Sequence, residues 1–364
     1  MAIASTFYHR FRSVLFQLDP EFSHNLALRL LAIAAQFPFS SKWLNLTSDS
    51  EDSRLATDVF GIHFPNPIGI AAGYDKNAFG ARSLSLLGVG HVEVGTITLI
   101  PQYGNPRPRL FRLIEDDALI NSMGFPSAGA AAVAKHLSKT RLKPMRSKIG
   151  VNIGKGCDTP LETAISDYSG LLQQLHPYAD YMTINISSPN TVGLRKLQER
   201  EALQHLLVEL QKIRAEKCPN MPLLVKRAPD LSLDEVDEAL ELIIDCGLSG
   251  IIATNATVDR TGLKSPDRDQ PGGLSGPPLR EQSTRIIRHI YQQTNGVIPI
   301  IGVGGVDSPD AALEKIRAGA SLVQVYTGLV YHGPGLVQAS NAGIVREMKT
   351  LGAQTITELI GTKT

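Results

Sequence analysis

Cysteine is scarce in this chain, with three among 364 residues. Cys157, Cys218 and Cys246 lie far apart and form no CxxC, which excludes a disulfide framework and a cysteine zinc site and fits a reducing, cytosolic setting. Neither sign of charge is in excess: 36 Lys and Arg stand against 35 Asp and Glu, for a formal net charge of +1. A nucleic-acid partner would call for a basic footprint that is missing. No run reaches the roughly 20 apolar residues that span a bilayer. The best stretch, 26–37, is short and is interrupted by Arg29 and Gln36. No apolar h-region with a small-residue cleavage site follows the basic residues near the start. Any contact with a membrane is therefore expected to be peripheral. No G-x-G-x-x-G follows the first apolar run, so a Rossmann nicotinamide site has no support.

Apolar residues are plentiful, at 43% against 20% charged, enough for a large core. The pattern changes near residue 50. Before it, Phe7, Phe11, Val14, Leu15 and Leu18 share one helical face, with His9, Arg10 and Arg12 elsewhere. After Asp19 and Pro20, Phe22, Leu26, Leu30, Ile33 and Phe37 recur at spacings of three and four. Both segments read as amphipathic helices, and 48–54 reads as a polar linker. The expected division is 1–50 and 51–364.

Beyond residue 58, short apolar runs alternate with helical stretches. The runs are 67–72, 91–95, 148–153, 181–186, 223–226, 250–254, 298–303 and 321–326. They are rich in β-branched residues without strict alternation, as in parallel strands buried on both faces. Helical periodicity separates most of them, for example at 161–175, 197–216 and 233–246. Eight such units predict an α/β fold, a (β/α)8 TIM barrel carrying an N-terminal amphipathic helical extension. A doubly wound open sheet is the alternative. Between the second and third runs, 96–127 is too long for a simple loop and is expected to fold as a hairpin over the barrel.

Polar residues collect at the carboxyl ends of the runs, where barrels of this type place their sites. They include Lys76, Thr96, Asn152, Asn185, Ser188, Asn190, Lys226, Thr254, Asn255, Tyr326 and Thr327. Asparagine recurs, with Asn121 in the hairpin. An amide offers donors and an acceptor, which suits planar heterocycles bearing C=O and N–H groups. Histidines and carboxylates are nearly absent from these ends, against a metallohydrolase and against a glycosidase. Glycine-rich segments at 272–276, 302–305 and 326–328 follow the sixth, seventh and eighth runs. The last two fall where barrels bind phosphate through backbone N–H groups.

Taken together, NPRPR at 105–109, NSMGF at 121–125, NISSPNT at 185–191, GGLSG at 272–276 and IGVGG at 301–305 resemble the dihydroorotate dehydrogenase family. The likeness runs from about residue 16 to 335. It implies one noncovalent FMN and oxidation of dihydroorotate to orotate in pyrimidine synthesis. Carried across, it implies Ser188 as catalytic base and substrate contacts from Lys76, Asn121, Ser122, Met123, Gly124, Phe125, Asn185, Asn190 and Asn255. It implies flavin contacts from Ala71, Ala72, Gly73, Thr96, Asn152, Asn185, Lys226, Thr254, Gly276, Gly305, Tyr326 and Thr327, and no metal. Ala256 departs from the family's threonine there and is left out of the site.

The resemblance also implies an electron acceptor. Members with Cys at the base position use fumarate or NAD; members with Ser use membrane quinones. Ser188 and the helical pair point to the quinone class, with 1–50 as a membrane-associating and quinone-access segment, Arg112 near the quinone, and 51–364 as the FMN-binding barrel. The expected location is the cytoplasmic face of a bacterial cell membrane, in contact with lipid, and no obligate protein partner is indicated. Lys226 is expected to stabilise reduced flavin, Lys76 to pair with the substrate carboxylate, and Thr191 to hold a relaying water. Two other readings stand beside this one: a soluble FMN barrel using fumarate or NAD, and a non-enzymatic flavin-binding or membrane scaffold. Taken alone, Ser188 reads as a turn residue before Pro189, and Lys76 as a surface lysine.

Overall fold

A computed structural model describes residues 2–34 and 52–363. The chain opens with two helices, α1 (Ala2–Leu15) and α2 (Pro20–Ala34). The turn between them is closed by Asp19, whose Oδ1 accepts from the Phe22 N–H at 2.8 Å. Phe37 and most of the expected linker lie outside the described residues, as do the side chains of Phe7 and His9.

A short hairpin follows, β1 (Thr57–Val59) and β2 (Ile62–Phe64). Its two-residue turn has positive φ at both Phe60 and Gly61, the geometry that matches strand twist. The Phe60 ring packs against the inner bottom of the barrel with Val59, Phe64, Tyr181, Leu224, Ile252, Ile301 and Leu322. Gly250 makes room for it: a Cβ there would lie 2.4 Å from the ring. The hairpin thereby plugs the amino-terminal mouth, which sequence patterning did not anticipate.

The remaining strands in chain order are β3 (Ile68–Ile70), β4 (His91–Ile97), β5 (Leu110–Leu113), β6 (Ala118–Asn121), β7 (Lys148–Ile153), β8 (Tyr181–Asn185), β9 (Leu223–Arg227), β10 (Gly250–Ala253), β11 (Gly273–Ser275), β12 (Ile300–Val303) and β13 (Leu322–Val325). Eight of them, β3, β4, β7, β8, β9, β10, β12 and β13, pair in parallel and close on themselves. These are the eight expected runs, trimmed by one or two residues at some ends, with β4 extending to Ile97 and β9 to Arg227. The open-sheet alternative falls, because β13 pairs with β3. Buried residues fill nearly every position of these strands, which is why their sequence reads as continuous apolar runs.

Helices between the strands cover the barrel and form the main core with the outward strand faces. Among them are α5 (Ala164–Leu175), α6 (Arg200–Lys217), α7 (Leu233–Asp245) and α8 (Arg280–Gln293), after α3 (Ala81–Ser85) and α4 (Ala130–Arg141). Local chemistry sets their starts. Ser232 and Glu235 form a capping box at α7. Ser308 caps α9 (Pro309–Arg317), with proline at its first position. The last two helices are α10 (Thr327–His332) and α11 (Gly335–Leu351).

Segment 96–127 forms the expected hairpin, β5 against β6. A third strand joins it: β11 pairs with β6, Gly273 opposite Asn121. The small sheet thus ties the loop after β10 to the loop after β4.

Candidate active site

A cavity with about 1040 Å³ of empty space opens at the carboxyl ends of the barrel strands. Chain segments far apart in sequence converge on it. Lys76 comes from the loop after β3, Thr96 from β4, Ser188 and Asn190 from the loop after β8, and Lys226 from β9. Asn121, Met123, Gly124 and Phe125 come from the hairpin side, and Gly276, Gly305, Tyr326 and Thr327 from the glycine-rich loops. Ala71, Ala72, Gly73, Asn185, Thr254 and Asn255 complete the set of expected residues that line it.

Two expected residues stand outside the lining. Ser122 is held in the hairpin, where its N–H donates to Arg109 O at 2.9 Å and its carbonyl accepts from Asn105 Nδ2 at 2.8 Å. Asn152 is fully buried behind Thr96, whose Oγ1 donates to Asn152 Oδ1 at 2.6 Å. Residues not singled out beforehand also line the cavity, among them Gln324, Pro126 and Asp307; Ser275 and Gly304 of the glycine motifs line it too, and so does Ala256. For Gln324 a signal existed: a lone amide inside the run 321–326.

The asparagines form a connected network. Asn185 Nδ2 donates to Thr96 Oγ1 at 2.9 Å and to Asn152 Oδ1 at 3.1 Å. Asn255 Nδ2 donates to Ser187 Oγ at 2.9 Å. Asn190 Nδ2 donates to Asn121 Oδ1 at 3.2 Å, linking the β8 loop to the hairpin. Ser188 is buried, and its Oγ accepts from the Asn190 N–H at 3.3 Å. The Thr191 hydroxyl nearby is buried without a protein partner.

Several polar groups on the wall lack protein partners. Lys226 is 5% exposed; burial pushes its pKa down, while the charge of Glu93 opposes that shift. The hydroxyl of Thr254 and Oε1 of Gln324 are buried and unpartnered. Buried polar groups without partners are costly, so these groups call for a ligand bearing donors and acceptors. The glycine-rich side offers a different surface. Gly304 and Gly305 have positive φ, and α10 begins at Thr327, with its first N–H groups free of helical partners. A Cβ on Gly305 would meet the Arg280 backbone at 2.7 Å, so only glycine allows this close approach. Arg280 braces the turn, donating from Nε to Gly305 O at 3.0 Å and pairing with Asp307. Such N–H groups suit a phosphate.

Lys76 is half-buried, and its Nζ donates to Gly73 O at 2.7 Å. Burial pushes its pKa down to about 8, opposed by the charges of Glu21 and Asp75. Glu21 belongs to α2, so the helical pair carries a charge felt by a residue that lines the site. It binds Arg109 at 2.7 Å and Arg107 at 2.9 Å. Burial disfavours its charge, but hydrogen bonds from both arginines outweigh burial and hold its carboxyl below the usual range. His24, also on α2, donates from Nε2 to Tyr74 O at 2.7 Å, and burial pushes its pKa down to about 3. Arg112 donates to the Leu18 carbonyl at 2.8 Å and lies over the Phe16 ring at 4.7 Å, so it secures the turn between the two helices.

Among the described residues, the outer face of this pair is apolar and exposed. Phe11, Val14, Leu18, Phe22, Leu30 and Ile33 are exposed, with Phe22 at 56% and Leu30 at 57%. Leu15 and Leu26 of the expected faces are half-buried. Leu28 and Leu31, from the other side of α2, pack on the core. Among the described residues, no helix is long and apolar enough to cross a membrane, and no cluster of His, Cys, Asp and Glu could hold a metal ion.

This fold and site define a (β/α)8 barrel whose cavity joins a polar wall to a glycine-rich rim. Comparison with known proteins narrows the class. Residues 54–348 match the family model described as dihydroorotate dehydrogenase. A relative from Anaeromyxobacter dehalogenans, named dihydroorotate dehydrogenase (quinone), is 47% identical over 351 residues, covering 96% of this chain and 95% of its own. A relative of the same name from Roseiflexus sp. is 44% identical and covers 98% of both chains. The crystal structure of DHODH from Eimeria tenella in complex with ferulenol superposes with a TM-score of 0.87 at 36% identity, covering 94% of this chain and 95% of that one. The chain belongs to the dihydroorotate dehydrogenase family.

Proposed function

We propose that the chain oxidises dihydroorotate to orotate with one noncovalent FMN and passes the electrons to a membrane quinone. The observation that carries this reading is the meeting in one cavity of Ser188 and Lys226 with the unpartnered groups of Thr254 and Gln324. The residues fit FMN. Lys226 and Thr254 would donate to the carbonyl groups of its ring, and the backbone at Gly304, Gly305 and Thr327 would hold its phosphate. The chemistry FMN supplies when bound is acceptance of a hydride from the substrate carbon next to the one deprotonated, and later release of the electrons.

Everything else falls to this chain. Ser188 takes the proton. A serine hydroxyl is a poor base alone, and the unpartnered Thr191 hydroxyl is available to orient a water that carries the proton onward. Asn121, Asn185, Asn190 and Asn255 orient the substrate's amide groups, and Lys76 binds its carboxylate. Residues 1–50 form the quinone-access and lipid-contacting segment, with the apolar face of α1 and α2 lying in the membrane surface; residues 51–364 form the catalytic barrel. We place the protein at the cytoplasmic face of a bacterial cell membrane, as a peripheral protein.

The test is a spectrum of the purified protein before and after anaerobic addition of dihydroorotate. A flavin spectrum that bleaches, with FMN released on heating, is the expected result. Release of FAD, absence of flavin, or a spectrum indifferent to dihydroorotate would overturn the proposal.

A further inference from the structure

Below the cavity, the barrel interior holds a carboxylate away from the strand ends. Glu93 lies in the middle of β4, is fully buried and does not line the cavity. Three donors converge on it: Asn152 Nδ2 on Oε1 at 2.8 Å, Gln324 Nε2 on Oε2 at 2.9 Å, and the Tyr181 hydroxyl on Oε2 at 3.2 Å. Burial pushes the Tyr181 pKa up and the Glu93 charge adds to the shift, so this hydroxyl stays a donor.

A carboxylate only accepts, which dictates how each amide partner turns. Gln324 must direct its NH2 at Glu93, leaving Oε1 as an unpartnered acceptor on a residue of the cavity wall. Asn152 must do the same, leaving Oδ1 to accept from Thr96 Oγ1 and from Asn185 Nδ2. Asn185 Oδ1 in turn accepts from the Ser187 N–H at 3.3 Å and from Asn255 Nδ2 at 3.4 Å. Every donor in this relay points towards Glu93.

We propose that Glu93 is a positioning residue that, as an obligate acceptor, fixes the donor and acceptor pattern the cavity shows its ligand, and that Gln324 is a binding residue contributing an acceptor. The inference rests on the flavin reading. The pyrimidine half of a flavin carries one N–H and two C=O groups, matching one acceptor, Gln324, and two donors, Lys226 and Thr254.

Glu93→Gln inverts the logic at constant size. The new amide has one accepting and one donating end. Whichever way it turns, its NH2 meets the NH2 of Asn152 or of Gln324, and that partner must rotate. Rotation of Gln324 puts a donor where the cavity had an acceptor; rotation of Asn152 reverses the relay to Asn255. The substitution also removes the negative charge felt by Lys226.

The experiment titrates apo-protein with FMN by fluorescence quenching, equilibrates the bound flavin with a dye of known potential, and records thermal unfolding. Glu93→Gln should bind FMN roughly 10- to 100-fold more weakly. Its flavin should be easier to reduce, because a nearby negative charge is gone, and its melting temperature should stay near wild type. Unchanged affinity and potential would overturn the inference and leave the flavin reading standing, as would a lowered melting temperature with unchanged potential. Failure of the wild-type protein to take up FMN would overturn the flavin reading itself. If Glu93→Gln does not fold, Gln324→Met carries the test: it keeps Glu93 and drops the acceptor. A loss of affinity of roughly tenfold or more supports the inference, and wild-type affinity overturns it.

Discussion

The helical pair and the barrel mouth depart from the usual burial pattern in opposite directions. Among the described residues, the pair carries six large apolar side chains that are at least 40% exposed, from Phe11 to Ile33. Among the described residues, the mouth buries polar groups that no protein atom satisfies, on Thr254 and Gln324, beside the buried Lys226. Helix α7 follows the usual pattern, burying Val236, Ala239, Leu240, Leu242 and Ile243. A large apolar side chain forgoes about 1.5–3 kcal/mol by staying exposed, and a buried polar group without a partner costs a similar amount or more. In the proposed function each departure suits a ligand of its own kind: an exposed apolar face suits lipid, and an unsatisfied polar wall suits a heteroatom-rich ring.

The strongest test on the barrel side is Ser188→Ala. Stopped-flow bleaching of the flavin by dihydroorotate should slow by about 10²–10⁴-fold, the usual contribution of a general base, with orotate still bound. Ser188→Cys should retain more activity than Ser188→Ala, because a thiolate can take the proton. A near wild-type rate in Ser188→Ala would remove Ser188 from the chemistry and leave the polar wall a binding surface only.

Next in size is Lys226→Met, which separates function from stability at one position. Affinity for FMN should fall by roughly 10- to 100-fold, the scale of a charged hydrogen bond. The flavin-free protein should melt no lower than wild type, because a buried cation without a hydrogen-bond partner is gone. Equal losses in both measurements would make Lys226 an ordinary structural residue.

On the helical side, Phe22→Glu combined with Leu30→Glu should reduce sedimentation with lipid vesicles by about tenfold or more. Turnover with a long-tailed quinone should fall alongside it, and turnover with a soluble dye should hold. Stability in denaturant should change by less than about 0.5 kcal/mol per site, since both positions are already exposed. Vesicle binding at the wild-type level would break the comparison. These surface changes are cleaner than deletion of residues 1–50, because Glu21 and His24 of α2 bond Arg109 and Tyr74 of the barrel domain.

The smallest effect lies at the seam between the two regions. With its pKa near 8, Lys76 loses its positive charge as pH rises through that value. Binding of the substrate carboxylate needs the ammonium, so KM for dihydroorotate should rise above about pH 8, by at most tenfold per pH unit. Glu21 raises that pKa. Glu21→Gln should therefore move the inflection to lower pH by a fraction of a unit, which a KM profile between pH 6 and 9 will reveal. An unmoved inflection would uncouple the helical pair from the substrate site.

Wherever local chemistry is sufficient, the sequence alone determined the outcome. The eight barrel strands are visible because strands buried on both faces must be apolar along their whole length. The helical pair is visible because Phe22, Leu26, Leu30 and Ile33 recur at the helical period. The glycine motifs and most of the lining residues are visible because they sit at run ends, where a parallel barrel gathers them. Tertiary structure alone decided the rest. Glu93 and Gln324 look like isolated defects in apolar runs until closure of the barrel sets them facing one another, 231 positions apart. Glu21 finds Arg109 across 88 positions, and Gly273 finds Asn121 only when two loops meet over the mouth. Asn152 carries the same signal as its neighbours at the strand ends, yet packing sets it behind Thr96 rather than on the cavity wall. The period of the backbone is written into adjacent residues, whereas the partner of a buried polar group depends on where distant segments come together.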